Sequence, residues 1–199
     1  MKKINIYSYP RSARTFLYKN LIQYADKEKI KKYHFFDSLF FNKNETNVII
    51  LRNPKDAILS MLVMEYKMLT KTNKKTVINH FQLENNLKYW FNLYKDQIDN
   101  YKKNIDNIIP FTFEEIINDV NDCINIILIN SGYDLPQKHN TVYPNNGDYN
   151  NAFLKTSKIY KEYKNFEKQI DKNYFDSLNL IYEEILNIIK NKKINLKNE

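Results

Sequence analysis

The chain has 199 residues, 43% of them apolar and 27% charged. That is enough apolar material for a buried core, and no Pro/Gly/Ser-rich stretch divides it, so a single domain over residues 1–199 is expected. The net charge of +8 comes from Lys spread along the whole sequence, without a basic stripe or an RNA-binding signature, which argues against nucleic acid as a partner and suits an anionic ligand. The lone cysteine, Cys123, rules out an intramolecular disulfide and a multi-cysteine zinc site, and no run approaches the roughly 20 apolar residues of a membrane span, so a cytoplasmic protein without a membrane partner is expected.

Alternation at Ile4, Ile6 and Ser8 predicts a first strand. Pro10 to Thr15 break that pattern, and Phe16, Leu17, Leu21, Ile22 and Tyr24 resume it at helical spacing. A short second strand is expected from Lys32 to Phe36, and Asn47 to Leu51 is an apolar run of the kind a buried parallel strand shows. Asn53 reads as a helix N-cap and Pro54 as the first helical residue, whose fixed φ suits that position, with the helix running through Ser60 to about Met68.

From about Thr76 to Tyr101, Leu83, Leu87, Trp90, Phe91, Tyr94, Ile98 and Tyr101 recur at steps of three and four, which predicts a long amphipathic helix with Trp90 in the core. Asn107 to Thr112 reads as a further strand, with Pro110 pointing to a sheet edge or a strand start. Ile116, Ile117, Val120, Ile124, Ile127 and Leu128 mark one helix that ends at Gly132, with Cys123 on its buried face. Asn145 to Asp148 form a turn-rich loop, and the remainder is helical, above all Phe175 to Ile189. His80 and His139 have no partners at metal-ligand spacing and read as surface residues; no metal site is expected.

Strands alternating with helices give an α/β fold of three layers, a small and mainly parallel sheet flanked by helices. Ligands of such folds bind outside the carboxyl ends of the strands, which assigns function to the loops after Ser8, Phe36 and Leu51. The first of them, Tyr9-Pro10-Arg11-Ser12-Ala13-Arg14-Thr15, leads into a helix, where free backbone N–H groups and the positive end of the helix dipole can hold an anion. It lacks the G-x-x-x-x-G-K-S/T pattern, which disfavours an ordinary ATPase or GTPase.

The stretch SYPRSARTF resembles the 5′-phosphosulfate loop of the sulfotransferases that use 3′-phosphoadenosine 5′-phosphosulfate (PAPS), whose usual form is Ser/Thr-Tyr-Pro-Lys/Arg-Ser-Gly-x-Thr-Trp/Phe. VIILRNPKDAILS resembles their 3′-phosphate motif, a strand followed by Arg52 and, eight positions on, Ser60. Lys32-Tyr33-His34 resembles the family's K-x-H, Phe113-Glu114-Glu115 its Y-E-D, and Gly147 to Phe153 its G-D-W-K-N-x-F. The resemblance implies a P-loop-type fold, PAPS as co-substrate, adenosine 3′,5′-bisphosphate as product, and no metal.

Carried over residue by residue, the resemblance puts Arg11 beside the leaving phosphate, and the backbone N–H groups of Ser12, Ala13, Arg14 and Thr15, with the Ser12 and Thr15 hydroxyls, around the 5′-phosphate. Arg52 and Ser60 would hold the 3′-phosphate, while Phe16 and Phe113 stand where the family has aromatics around adenine. His34 is the candidate general base, since neutral imidazole accepts a proton near neutral pH, and Lys32 would bind the transferring sulfo oxygens. The catalytic set is thus His34, Arg11 and Lys32. KKYHFFD also resembles the K-E-x-H-F-F of glycosaminoglycan sulfotransferases, whose catalytic glutamate falls on Lys32.

The chain departs from the family at Ala13, where a glycine is usual, and at Val142, Tyr143 and Pro144, where an R-K-G is usual. The acceptor, whether a small molecule, a carbohydrate or a peptide, is not specified by any motif. Two other functions stay open: a P-loop nucleotide kinase or phosphotransferase, and a non-catalytic nucleotide-binding protein.

Overall fold

The computed structural model describes residues 1–9, 13–34, 42–71, 80–142 and 158–198, excepting the side chains of 66–71, 80–82, 158–160, 162–163 and 192–198. Strands β1 (Ile4–Ser8), β2 (Ile30–Tyr33), β3 (Thr46–Leu51) and β4 (Ile109–Thr112) pair in parallel in the order β2-β1-β3-β4. Every residue of β1 and of β3 is buried, so the sheet is covered on both faces, as parallel sheets require, and near-continuous apolar runs are the sequence form of that burial. Pro110 lies in β4, the strand at one edge, where its missing N–H is tolerated.

The helices are α1 (Arg14–Leu21), α2 (Pro54–Lys71), α3 (His80–Lys103), α4 (Phe113–Asn118), α5 (Val120–Ser131), α6 (Lys158–Gln169) and α7 (Asn173–Asn198). The chain forms two compact units, Met1–Arg52 with Asp99–Pro144, and Asn53–Ile98 with Asn145–Glu199. In the first, α1 packs on β1, β2 and α5, α5 on β3, and α4 on β4 and α5. Cys123 lies buried on α5, as expected of a small apolar residue. In the second, α2 packs against α6 and α7. Trp90 is 9% exposed there, and its Nε1 donates to Glu65 Oε1 at 3.0 Å, a core residue with its polar edge satisfied.

Several element ends follow from single residues. The Asn53 side chain accepts from the backbone N–H groups of Lys55 (3.0 Å) and Asp56 (3.4 Å), which makes it the N-cap that starts α2 at Pro54. Gly132, at φ 73, ends α5, and the N–H of Tyr133 reaches back to the Leu128 carbonyl at 3.0 Å.

Two expectations are corrected. The second strand covers Ile30–Tyr33 rather than Lys32 to Phe36: the 3₁₀ turn Lys27–Lys29, capped by Asp26, delivers the chain to Ile30, which pairs with Ile4, so the strand starts earlier and ends before His34. Phe35 and Phe36 lie outside the described residues. The helix expected through Ile116 to Leu128 is two helices, because Asp119 leaves helical geometry (φ −146, ψ 70) and its carboxylate accepts from the N–H of Asp122, capping a new start.

Candidate functional site

The strand order places a topological switch point between β1 and β3. From β1 the chain winds to β2 on one side, and then returns to β3 on the other. Ligands of doubly wound sheets bind in the crevice at such a point, beyond the carboxyl ends of the two strands. Here those ends lead into the Tyr9–Thr15 loop and into Arg52.

Strand register brings further residues to the same edge. Leu51 pairs with Thr112, so the next residues, Arg52 and Phe113, emerge side by side, and the Arg52 guanidinium lies 4.5 Å from the Phe113 ring centroid. Both are buried, Arg52 at 6% exposure. Thr112 and Glu115 form a capping box, with Thr112 Oγ1 accepting from the Glu115 N–H at 3.1 Å and Glu115 Oε2 from the Thr112 N–H at 2.8 Å, which fixes Phe113 as the first residue of α4. Tyr7 pairs with Tyr33 and their rings stack, so His34 follows at the level of Ser8.

The turn into α1 contains the departure from the family pattern. Ala13 adopts φ 59, ψ 6, the left-handed conformation that glycine takes without steric cost, and its carbonyl accepts the first helical bond, from Leu17. The alanine thus keeps a glycine-type turn at the cost of backbone strain. Among the described residues no side-chain hydrogen bond caps α1, and its first turn carries no acidic residue, so nothing described there opposes an anion at the positive end of its dipole. Thr15 is exposed and Phe16 buried; Arg11 and Ser12 lie outside the described residues.

Arg14, the first residue of α1, lies against the candidate base. Its Nη2 lies 2.9 Å from His34 Nε2 and 3.2 Å from Nδ1. Burial, and then the charges of Arg14 and Lys32, push the His34 imidazole below its ordinary value, so it is neutral near pH 7. Lys32 sits with its ammonium 3.9 Å from the Tyr18 ring centroid, and burial with Arg14 and Lys19 lowers its pKa. Among the sequence candidates the structure therefore groups Arg14 and His34, with Lys32 near them, and separately Arg52 with Phe113. Ser60 is half-buried on α2 in the second unit.

The motifs did not reveal Asn20. Its side chain, 1% exposed, donates to the Phe16 and Val142 carbonyls at 3.0 Å and accepts from the Val142 N–H at 2.7 Å. Gln23 Nε2 donates to the Asn140 carbonyl at 3.0 Å, and the Asn140 N–H to Tyr24 Oη at 2.7 Å. Together they hold residues 140–142 on α1 and the turn that follows it, and a buried asparagine inside an otherwise apolar helix face was the signal available. His139, expected at the surface, is half-buried: its Nε2 bonds Asn125 Oδ1 at 2.9 Å and its ring meets Tyr24 edge-on. His80's side chain, Tyr143, Pro144 and Gly147 to Phe153 lie outside the described residues. Among the described residues no cluster of His, Cys, Asp or Glu could hold a metal, and no helix is long and apolar enough to cross a membrane.

No protein-family model matches the sequence, and no curated protein shows significant sequence similarity to it. Among solved structures, the chain is similar to mouse sulfotransferase SULT7A1 complexed with PAP, with 14% identity and a TM-score of 0.54 over 100% of this chain and 89% of that one. It is similar also to a sulfotransferase from Alicyclobacillus acidocaldarius, with 12% identity and a TM-score of 0.50 over 89% of this chain and 95% of that one. The protein has the sulfotransferase fold: an α/β P-loop architecture with a four-stranded parallel sheet flanked by helices.

Proposed function

We propose that the protein is a PAPS-dependent sulfotransferase acting on an acceptor hydroxyl or amine. The observation that carries this reading is the switch point between β1 and β3, where a strand-turn-helix with a left-handed residue meets the carboxyl end of the strand leading into Arg52. The first supplies N–H groups to one anion, and the guanidinium supplies a planar fork of donors to a second. A nucleotide with phosphates at both the 5′ and 3′ positions presents two such groups.

In this reading Arg11, the N–H groups of Ser12 to Thr15 and the Ser12 and Thr15 hydroxyls neutralise the 5′-phosphosulfate, while Arg52 and Ser60 hold the 3′-phosphate. His34 takes the proton from the acceptor as its oxygen or nitrogen bonds to sulfur and the bond from sulfur to the 5′-phosphate oxygen breaks. Lys32 steadies the sulfo oxygens. The protein's contribution is positioning and charge neutralisation, as in phosphoryl transfer. Phe16 and Phe113 belong to the adenine side of the site, and no metal takes part. A small-molecule, carbohydrate or peptide acceptor and a cytoplasmic setting complete the proposal, the latter supported by the single buried cysteine.

Calorimetric titration with adenosine 3′,5′-bisphosphate, against AMP and ATP, tests the reading. Binding that depends on the 3′-phosphate is expected; preference for ATP would replace it with a nucleotide phosphotransferase.

A further inference from the structure

Helix α1 and strand β2 meet through a matched pair of contacts. Arg14 and Tyr18 lie four residues apart on one face of α1, and Lys32 and His34, two apart, turn to that face from β2 and the residue after it. The Lys32 ammonium lies 3.9 Å from the Tyr18 ring centroid. Arg14 Nη2 is 2.9 Å from His34 Nε2 and 3.2 Å from Nδ1; in the ring plane, such nearly equal distances would drive it into a ring carbon, so the guanidinium lies over the face of the imidazole. Each element thus offers one cation and one ring, and each cation rests on the other element's ring. Tyr33, between Lys32 and His34, turns the other way and stacks on Tyr7.

The Lys32 contact is the one that the surrounding charges oppose. After burial, Arg14 and Lys19 of α1 both disfavour a positive Lys32, and among the described residues no carboxylate pairs with any of the three. Arg14 Nε and Nη1 are shielded from solvent and have no hydrogen-bond partner, so no anion offsets its charge there. An exposed lysine on a flexible four-carbon stem, with two like charges beside it, should extend into water. Lys32 lies on Tyr18 instead, and the negative face of that ring is the attraction that holds it.

We propose that Tyr18, which no motif singled out, is a positioning residue for sulfo transfer: its ring stations the Lys32 ammonium on the face of β2 that carries His34, ready to meet the transferring sulfo oxygens. The inference rests on the sulfotransferase reading for the identity of the group that Lys32 meets. A lysine held in place before the donor arrives does not have to be ordered during the reaction. The ring acts through its face, so its hydroxyl is dispensable. The lowered basicity of His34, due to burial and then to Arg14 and Lys32, accords with an ammonium kept near it.

The test compares PAPS with adenosine 3′,5′-bisphosphate, which lacks the sulfo group, by calorimetric titration of the wild type, Tyr18→Phe and Tyr18→Leu. Tyr18→Leu should weaken PAPS binding by about twofold to fivefold, the worth of a cation on an aromatic ring at an exposed site, and leave adenosine 3′,5′-bisphosphate binding unchanged. Tyr18→Phe should match the wild type with both, whereas a merely structural loss weakens both nucleotides alike. The titration of His34, followed by NMR, adds a readout that needs no nucleotide. Tyr18→Leu should raise its midpoint by releasing Lys32, Tyr18→Phe should not, and in a Lys32→Met background Tyr18→Leu should add nothing. If Tyr18→Leu does not fold, Tyr18→Met replaces it.

If the wild type binds both nucleotides and Tyr18→Leu weakens them equally, or neither, the positioning role is overturned but not the sulfotransferase reading. A His34 shift that persists in the Lys32→Met background overturns it in the same way. Failure of the wild type to bind either nucleotide overturns the sulfotransferase reading, and with it the role at the sulfo group.

Discussion

Arg52 lies over the face of Phe113, its guanidinium 4.5 Å from the ring centroid, because the two residues follow the paired positions Leu51 and Thr112 on neighbouring strands. The stack orients the planar donors of an arginine that is 6% exposed. Arg52→Ala should weaken adenosine 3′,5′-bisphosphate binding by about 3 kcal/mol, and Arg52→Lys by roughly half of that, since lysine keeps charge but loses fork and stack. Phe113→Leu should cost about 1 kcal/mol in the same calorimetric titration. Equal affinity of wild type and Arg52→Ala would remove Arg52 from the site.

Ala13 carries a side chain at φ 59. Ala13→Gly should raise the stability to urea by about 1 kcal/mol through relief of left-handed strain, and Ala13→Val should lower it by more. A less stable Ala13→Gly would show that the turn is not held in this conformation in solution.

His34 titrates below its ordinary 6.5, from burial first and then from Arg14 and Lys32. The acid limb of kcat/KM for an acceptor should therefore have its midpoint below pH 6.5, and Arg14→Met should move it upward. For folding, the sign follows from the neutral form being favoured in the native state. The His34 contribution is present above pH 6.5 and is lost as pH falls through the lowered native value. An acid limb unmoved by Arg14→Met would dissociate the two residues.

Asn20 satisfies two carbonyls and one N–H from within the core. Asn20→Leu, similar in volume, should cost about 2–3 kcal/mol by leaving the Val142 groups unpaired. It should also speed amide exchange at Val142, while exchange in β1 changes only with global stability. Protection at Val142 equal to the wild type would contradict the role given to Asn20.

Glu65 accepts from Trp90, the sole tryptophan, and burial holds its carboxyl above the ordinary 4.5 against the opposing effect of that hydrogen bond. Trp90 emission should titrate with a midpoint above pH 4.5, and Glu65→Gln should abolish the step. With the native value raised, the stability Glu65 contributes is full below pH 4.5 and is lost as pH rises through the native value. A step that survives in Glu65→Gln would assign it elsewhere.

β1 and β3 were legible because they are short, largely apolar runs, whereas β2, Ile-Lys-Lys-Tyr, is half lysine and its bounds were not, and Asn53 and Gly132 announced helix ends by their own chemistry. The break at Asp119 was hidden because apolar periodicity continues across it from Ile116 to Ile124, while the decisive interaction is a local Asp119 cap that periodicity does not weigh. Residue types and order sufficed to nominate Arg52 and His34. The Asn20–Val142 and Arg14–His34 contacts depend on which segments the fold brings together, and sequence spacing carries no information about that.

β2 is an edge strand, and His34 stands just past its end, whereas the Tyr9–Thr15 loop and Arg52 leave the two interior strands. Interior strands are locked by neighbours on both sides, and an edge strand has one. In the proposed reaction, therefore, the donor-holding half of the site is built where sequence change is least tolerated, and the proton-accepting half where it is most tolerated. Such a layout lets acceptor preference drift over evolutionary time while the donor chemistry stays constant.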